Sequence, residues 1–319
     1  MVEHRRPWLG RALHLQSGAS VVVVGCFSLA ALMGVEFGLG LQAAVLLVGL
    51  VLIGVPHGAF DYFVARPVLE ARLGSAWSVI FVTVYLGLAG VVWVGWMWVP
   101  QVTLALFLAA TVLHFGLGDT EDGLAPAGVP PLIVVLTYGL LPVLLAISLH
   151  ADAAAPVLAA MAGMSVDSLT PVLVDTRWLL PLWMLAFIWV TRARLGEHCG
   201  VAERLTTAAG FVLLPPLLAF GLYFSVGHSV RHVLRLGAWH APYDGAMARR
   251  WLGRVIVPAG MICAAGLGGM ALVDADVIKG LIAPAFRMIA ALTLPHMIVT
   301  AWLNHQAPAI PAMNNANAE

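Results

Sequence analysis

Apolar segments long enough to cross a bilayer recur along this whole 319-residue chain, and they leave few options for its fold. A spanning helix needs roughly 20 such residues. Eight stretches come near that length, at about 18–35, 38–60, 77–98, 101–118, 130–149, 205–233, 252–273 and 279–302. Two weaker ones lie at about 155–174 and 177–191. Only 10% of the residues are charged, against about 25% in a soluble domain. Ten-residue segments of alternating hydrophobicity, the mark of a membrane β-barrel, are absent. The expected fold is an all-α, polytopic transmembrane helix bundle of 8–10 spans. No linker divides it, so residues 1–303 are read as one integral-membrane domain and 304–319 as a flexible polar tail.

Arginines suggest the orientation. Arg5, Arg6 and Arg11 precede the first span, and Arg66 and Arg72 follow the second. The positive-inside rule puts both groups, and the Arg235, Arg249, Arg250 and Arg254 loop, in the cytoplasm. Arg192, Arg194 and Arg204 then fall outside, against the rule. A multi-pass protein of the cell inner membrane with a cytoplasmic N-terminus is expected. No small-residue cleavage site follows the first apolar stretch, so it is read as a retained helix. Trp93, Trp96 and Trp98 suit an interfacial aromatic belt. Net charge is zero and no basic tract occurs, which speaks against a nucleic-acid partner. The three cysteines, Cys26, Cys199 and Cys263, are far apart and show no metal-type spacing.

Four histidines stand out against this background. His228 and His232 lie four apart in the apolar run LLPPLLAFGLYFSVGHSVRHVL. On a helix they share a face, with Cβ atoms about 5–6 Å apart, the spacing of two ligands to one ion. His57 lies in GVPHGAFDY, where Pro56 and Gly58 suggest a bent or broken helix beside a cavity. His114 ends another span in TVLHFGLGD. Ionisable groups at membrane depth are costly and usually face a bundle interior that does chemistry or transport. Imidazoles from three segments point to one metal held between helices. Asp61 and Asp119 follow His57 and His114 closely and are candidate orienters of imidazole N–H groups. Asp119 also begins the polar DTED run, which offers it a solvated role. His296, in LTLPHMIVTAW, is a fifth candidate, as an orienting, packing or substrate-touching residue.

Parity constrains the site. His57 and His114 sit near cytoplasmic ends of their helices. His228 and His232 join them only if the two weak stretches both cross or both fail to cross. All-imidazole ligation suits iron, copper, zinc or nickel better than magnesium or calcium. Histidine ligands alone do not choose among the first four.

GVPHGAFD, LHFG with its following aspartate, GHSVRH and the late PHM together resemble the Brp/Blh family of β-carotene 15,15′-dioxygenases. The resemblance runs from about residue 45 to 302. It implies an Fe(2+) held by His57, His114, His228 and His232. It implies β-carotene and O2 as substrates within the lipid bilayer, cleavage at the central double bond, and two retinal products that commonly feed a microbial rhodopsin. A C40 hydrocarbon dissolves in lipid, so lateral entry into an apolar, aromatic tunnel is expected. Phe60, Tyr62, Phe63, Phe115, Tyr223 and Phe224 flank the histidines and are its candidate walls. Three other readings compete, one of them a bis-histidine haem protein, which the i,i+4 pair disfavours because axial ligands must lie on opposite haem faces. A desaturase or hydroxylase usually carries several clustered histidine boxes, whereas here there is one HxxxH. A transporter or metal permease would suit a broken helix, but no inverted repeat is visible.

Overall fold

A computed structural model describes residues 7–120, 125–195, 198–240, 261 and 276–306. The expected span at 252–273 (Met261 apart), the arginines 249, 250 and 254, and the tail from 307 onward lie outside the described residues. Everything described is helix or short connection, without a strand. In chain order the helices are α1 Pro7–Leu32, α2 Leu39–Gly49, α3 Val55–Leu73, α4 Trp77–Trp98, α5 Pro100–Asp119, α6 Pro131–Leu149, α7 Ala151–Ala162, α8 Val166–Asp175, α9 Leu180–Ala193, α10 His198–Leu213, α11 Pro216–Leu222, α12 Val230–His240 and α13 Ala283–Gln306.

Six helical runs among the described residues are long and apolar enough to cross a membrane. One of them, Leu39–Trp98, holds two helical arms joined at Gly74, which turns the chain with a positive φ of 57°. The two weak stretches become α7, α8 and α9, and Val166–Ala193 is one of the six runs. The expected single span at 205–233 is divided instead. Pro215 holds an extended ψ of 141° ahead of Pro216, which opens α11. A residue before proline is driven out of the helical region, so the PP pair breaks the helix there. Many large apolar side chains face outward, among them Val79, Leu86, Val91 and Trp98 on α4. That surface suits lipid and would aggregate in water. Trp93 and Trp98 are exposed, as a belt requires, but Trp96 is buried and lies under the Arg287 guanidinium.

With no hydrophobic drive between helices in lipid, close packing of small residues holds a bundle together. Here α5 lies tightest against α6. A Cβ on Gly116 would strike the Val135 carbonyl, and one on Gly139 would strike the Val112 carbonyl. The two backbones therefore touch through paired glycines. Behind them an aromatic and aliphatic core gathers Phe115, Leu141, Trp183, Phe211, Leu218 and Phe224. Gly139→Ala is expected to force the pair apart and to destabilise the fold by roughly 1–3 kcal/mol. A lowered thermal midpoint in detergent is the check.

Candidate metal centre

Among the described residues, two of the three π-helical segments adjoin the candidate ligands. One, Leu50–Gly54, runs directly into α3, whose first turn contains Pro56 and whose next residue is His57. Proline has no N–H, so the helical ladder must loosen somewhere near it. The chain widens by a π turn and continues. The break expected at His57 is therefore a widening in a continuous helix. The second segment, Tyr223–Ser229, contains His228 and leads into α12, which carries His232. Such single π turns often mark functional sites.

The structure brings the histidines of four helical segments together. Donor nitrogens of His57, His114 and His228 all lie within 4.8 Å of one another. His228 Nε2 is 3.1 Å from His114 Nε2. Two ligands at about 2.1 Å from one ion and at right angles would stand about 3.0 Å apart, so this pair matches an edge of a coordination shell. His232 stands outside this tight trio, with its ring centroid 5.6 Å from that of His57 and 6.3 Å from that of His228. His296 joins from α13, 5.1 Å from His57 and 5.0 Å from His232. His57, His228, His232 and His296 are buried, and His114 is half-buried. All four predicted ligands thus occupy one region of the bundle, whatever the number of crossings between them.

Carboxylates orient two of the rings. Asp119, buried at the end of α5, accepts from His228 Nδ1 at 3.2 Å and from Tyr223 Oη at 2.9 Å. Arg231 bonds the same carboxylate at 3.0 Å and also pairs with Glu203, which Gln16 contacts at 3.0 Å. Arg235 donates to the Gly118 carbonyl at 2.7 Å. Asp119 therefore takes no part in a solvated run. Asp61 turns to His296, whose Nδ1 lies 2.8 and 3.0 Å from its two oxygens, and Tyr85 donates to Asp61 at 3.1 Å. A carboxylate accepts only, so Nδ1 carries the proton in each ring and Nε2 is left as the donor of a lone pair. That is the arrangement usual behind metal-bound histidine. Sequence reasoning missed Tyr85, Glu203 and Gln16 as partners. Their signal was available as polar side chains inside apolar helices.

A cavity of about 300 Å³ opens beside the cluster. His57, His114 and His296 face it, together with Tyr62, Phe115 and Phe224 from the expected walls. Phe60, Phe63 and Tyr223 are not in its lining; Tyr223 lies behind the cluster, bonded to Asp119. Instead Phe81, Phe107 and Phe220 complete the aromatic wall. The wall's hydroxyls are committed to the protein. Thr111 donates to the Phe107 carbonyl, Thr293 to the Ile289 carbonyl, Tyr85 to Asp61, and Tyr62 pairs with Ser78. What remains is hydrocarbon with imidazoles at one side.

Comparison with known proteins settles the lineage. A family model described as beta-carotene 15,15′-dioxygenase matches residues 48–304. The chain belongs to the β-carotene 15,15′-dioxygenase family. A relative from Halobacterium salinarum, named probable beta-carotene 15,15′-dioxygenase Blh, is 30% identical over 89% of this chain and 90% of its own. Another, from the uncultured marine bacterium 66A03 and named beta-carotene 15,15′-dioxygenase, is 25% identical over 78% of this chain and 89% of its own. No solved structure matches. The stretch shared with the dioxygenase family takes in all five clustered histidines and both aspartates. The donor set also suits a metal of the iron, copper, zinc or nickel type, since three imidazole nitrogens converge with a carboxylate behind one of them.

Gly118 tests how tightly this dioxygenase-family centre is built. A Cβ there would come within 2.8 Å of His228 Cε1. Gly118→Ala is expected to push the His228 ring aside and to weaken metal retention by about 10–100-fold. Chelator competition on the purified protein measures it.

Proposed function

We propose that this protein cleaves β-carotene at its central 15,15′ double bond with O2 and releases two molecules of retinal. The carrying observation is the buried convergence of His57, His114 and His228 beside an apolar cavity, in a chain of this family. The metal in this reading is iron(II), held by His57, His114, His228 and His232. Bound there, iron(II) supplies the O2 activation that the reaction requires.

The chain's own residues bind, orient and exclude. The aromatic wall grips a polyene by shape, since its hydroxyls are spent on the protein. Asp119 holds the His228 ring in one tautomer, and Asp61 does the same for His296. The double bond and O2 become two aldehydes, so one C=C is replaced by two C=O with no net proton. Among the described residues, none of those lining the cavity is a carboxylate. The same wall argues against the transporter reading, because an ion or polar solute needs polar handles along its path.

Entry is lateral in this reading. Val82 and Leu86 line the cavity yet are 42% and 60% exposed, which supports a mouth on the lipid-facing side of α4. Substrate reaches it from the bilayer and retinal leaves into the bilayer, where a microbial rhodopsin can take it up. The N-terminus lies in the cytoplasm and the protein in the inner membrane.

Expression in a bacterium that makes β-carotene is expected to bleach the cells and to yield retinal on chromatography. Colour retained with well-folded protein present overturns the assignment, and zinc without iron on metal analysis points to a hydrolase. His228→Ala is expected to abolish both bound metal and retinal formation. Leu86→Trp, at the mouth, is expected to lower kcat/KM for β-carotene by about tenfold with metal content unchanged. Unchanged kcat/KM would place the entrance elsewhere.

A further inference from the structure

We propose that His296 is a fifth ligand to the same metal, binding through Nε2 and set in place by Asp61 and Tyr85. The inference rests on the metal-centre reading above and adds a residue to it.

Geometry supports it first. The His296 ring lies 5.1 Å from His57, 5.1 Å from His114 and 5.0 Å from His232, centroid to centroid. His228 has the same three neighbours, at 6.2, 4.8 and 6.3 Å. By ring centroid, His296 is therefore about as near to these three histidines as His228 is. It lies outside the tightest trio of donor nitrogens, as His232 also does.

The supporting residues repeat a pattern. On one side Tyr223 donates to Asp119, and Asp119 accepts from His228 Nδ1. On the other Tyr85 donates to Asp61, and Asp61 accepts from His296 Nδ1. The same three-residue chain is built twice, from different helices, and each ends on an imidazole of one cluster. Asp61 is 1% exposed and His296 is 3% exposed. Burying a carboxylate in a membrane bundle is expensive, and a histidine needed only for packing gives no return for it. A metal does, because a carboxylate behind an imidazole raises its basicity and fixes Nε2 as the ligand atom. His296 also lines the cavity, whereas His228 and His232 do not. A fifth imidazole there would leave a six-coordinate ion room for one exogenous ligand, and the polyene would then be held by the wall alone.

Cobalt(II) added to the metal-depleted, full-length protein tests this, because its absorption bands report coordination number. His296→Gln is expected to keep Co(II) through the remaining histidines but to shift and intensify the visible bands. Its affinity is expected to fall by about 10–100-fold, and Asp61→Asn to move the bands in the same direction. Bands and affinity identical to the unmutated protein in His296→Gln would overturn the fifth ligand and leave the four-histidine centre standing. Should that variant not fold, unchanged bands in Asp61→Asn and Tyr85→Phe would overturn it equally. If the unmutated protein takes up no Co(II), the metal centre itself fails.

Discussion

Polarity inside a hydrocarbon slab must be answered from within the protein, and the whole centre follows from that constraint. Five histidines, two aspartates, a glutamate and two arginines are gathered where the surroundings are Phe, Leu and Val. None is tolerable alone at such depth. Several hold one another: His228 is held by Asp119, Asp119 by Tyr223 and Arg231, Arg231 by Glu203, and Glu203 by Gln16. The chain of contacts runs from the first helix to the His228 ring. Its members hold each other's geometry, because moving one leaves the next uncompensated.

Packing supplies the rest of the precision. Histidines on a loosely held helix would drift, so the helix that carries His114 is locked to its neighbour through paired glycines. The two π turns do a related job along the axis. Each inserts an extra residue into a turn and so resets which direction the following side chains face. His57 follows one such turn and His228 sits inside another. An ideal α-helix from Leu39 through Leu73 would point His57 in a different direction.

The sequence shows the bundle and the histidines for one reason: a charged or titratable group in a greasy run is conspicuous. His57, His114, His228 and His232 stand out that way, and the structure places all four in one region. The pairing of Asp61 with His296 is another matter. They are 235 positions apart, and no local spacing joins them. Asp119 reads equally well as the first residue of a solvated loop, until Tyr223 and Arg231 are seen around it. π turns leave almost no trace, since one extra residue is within the scatter of a helical pattern. Pro56 is the one hint. The PP pair at 215 and 216 was an available signal for dividing the long apolar run at 205–233, and hydropathy alone smooths it over.

A wall whose hydroxyls turn back on the protein leaves only the imidazoles to meet a polar group. In the function proposed above, such a chamber would act as a ruler, sorting what enters by girth and by the distance from its end to the bond that comes to rest beside the imidazoles. Changing the residues at the far end of the chamber would then move the point of scission along the same molecule, leaving the chemistry untouched.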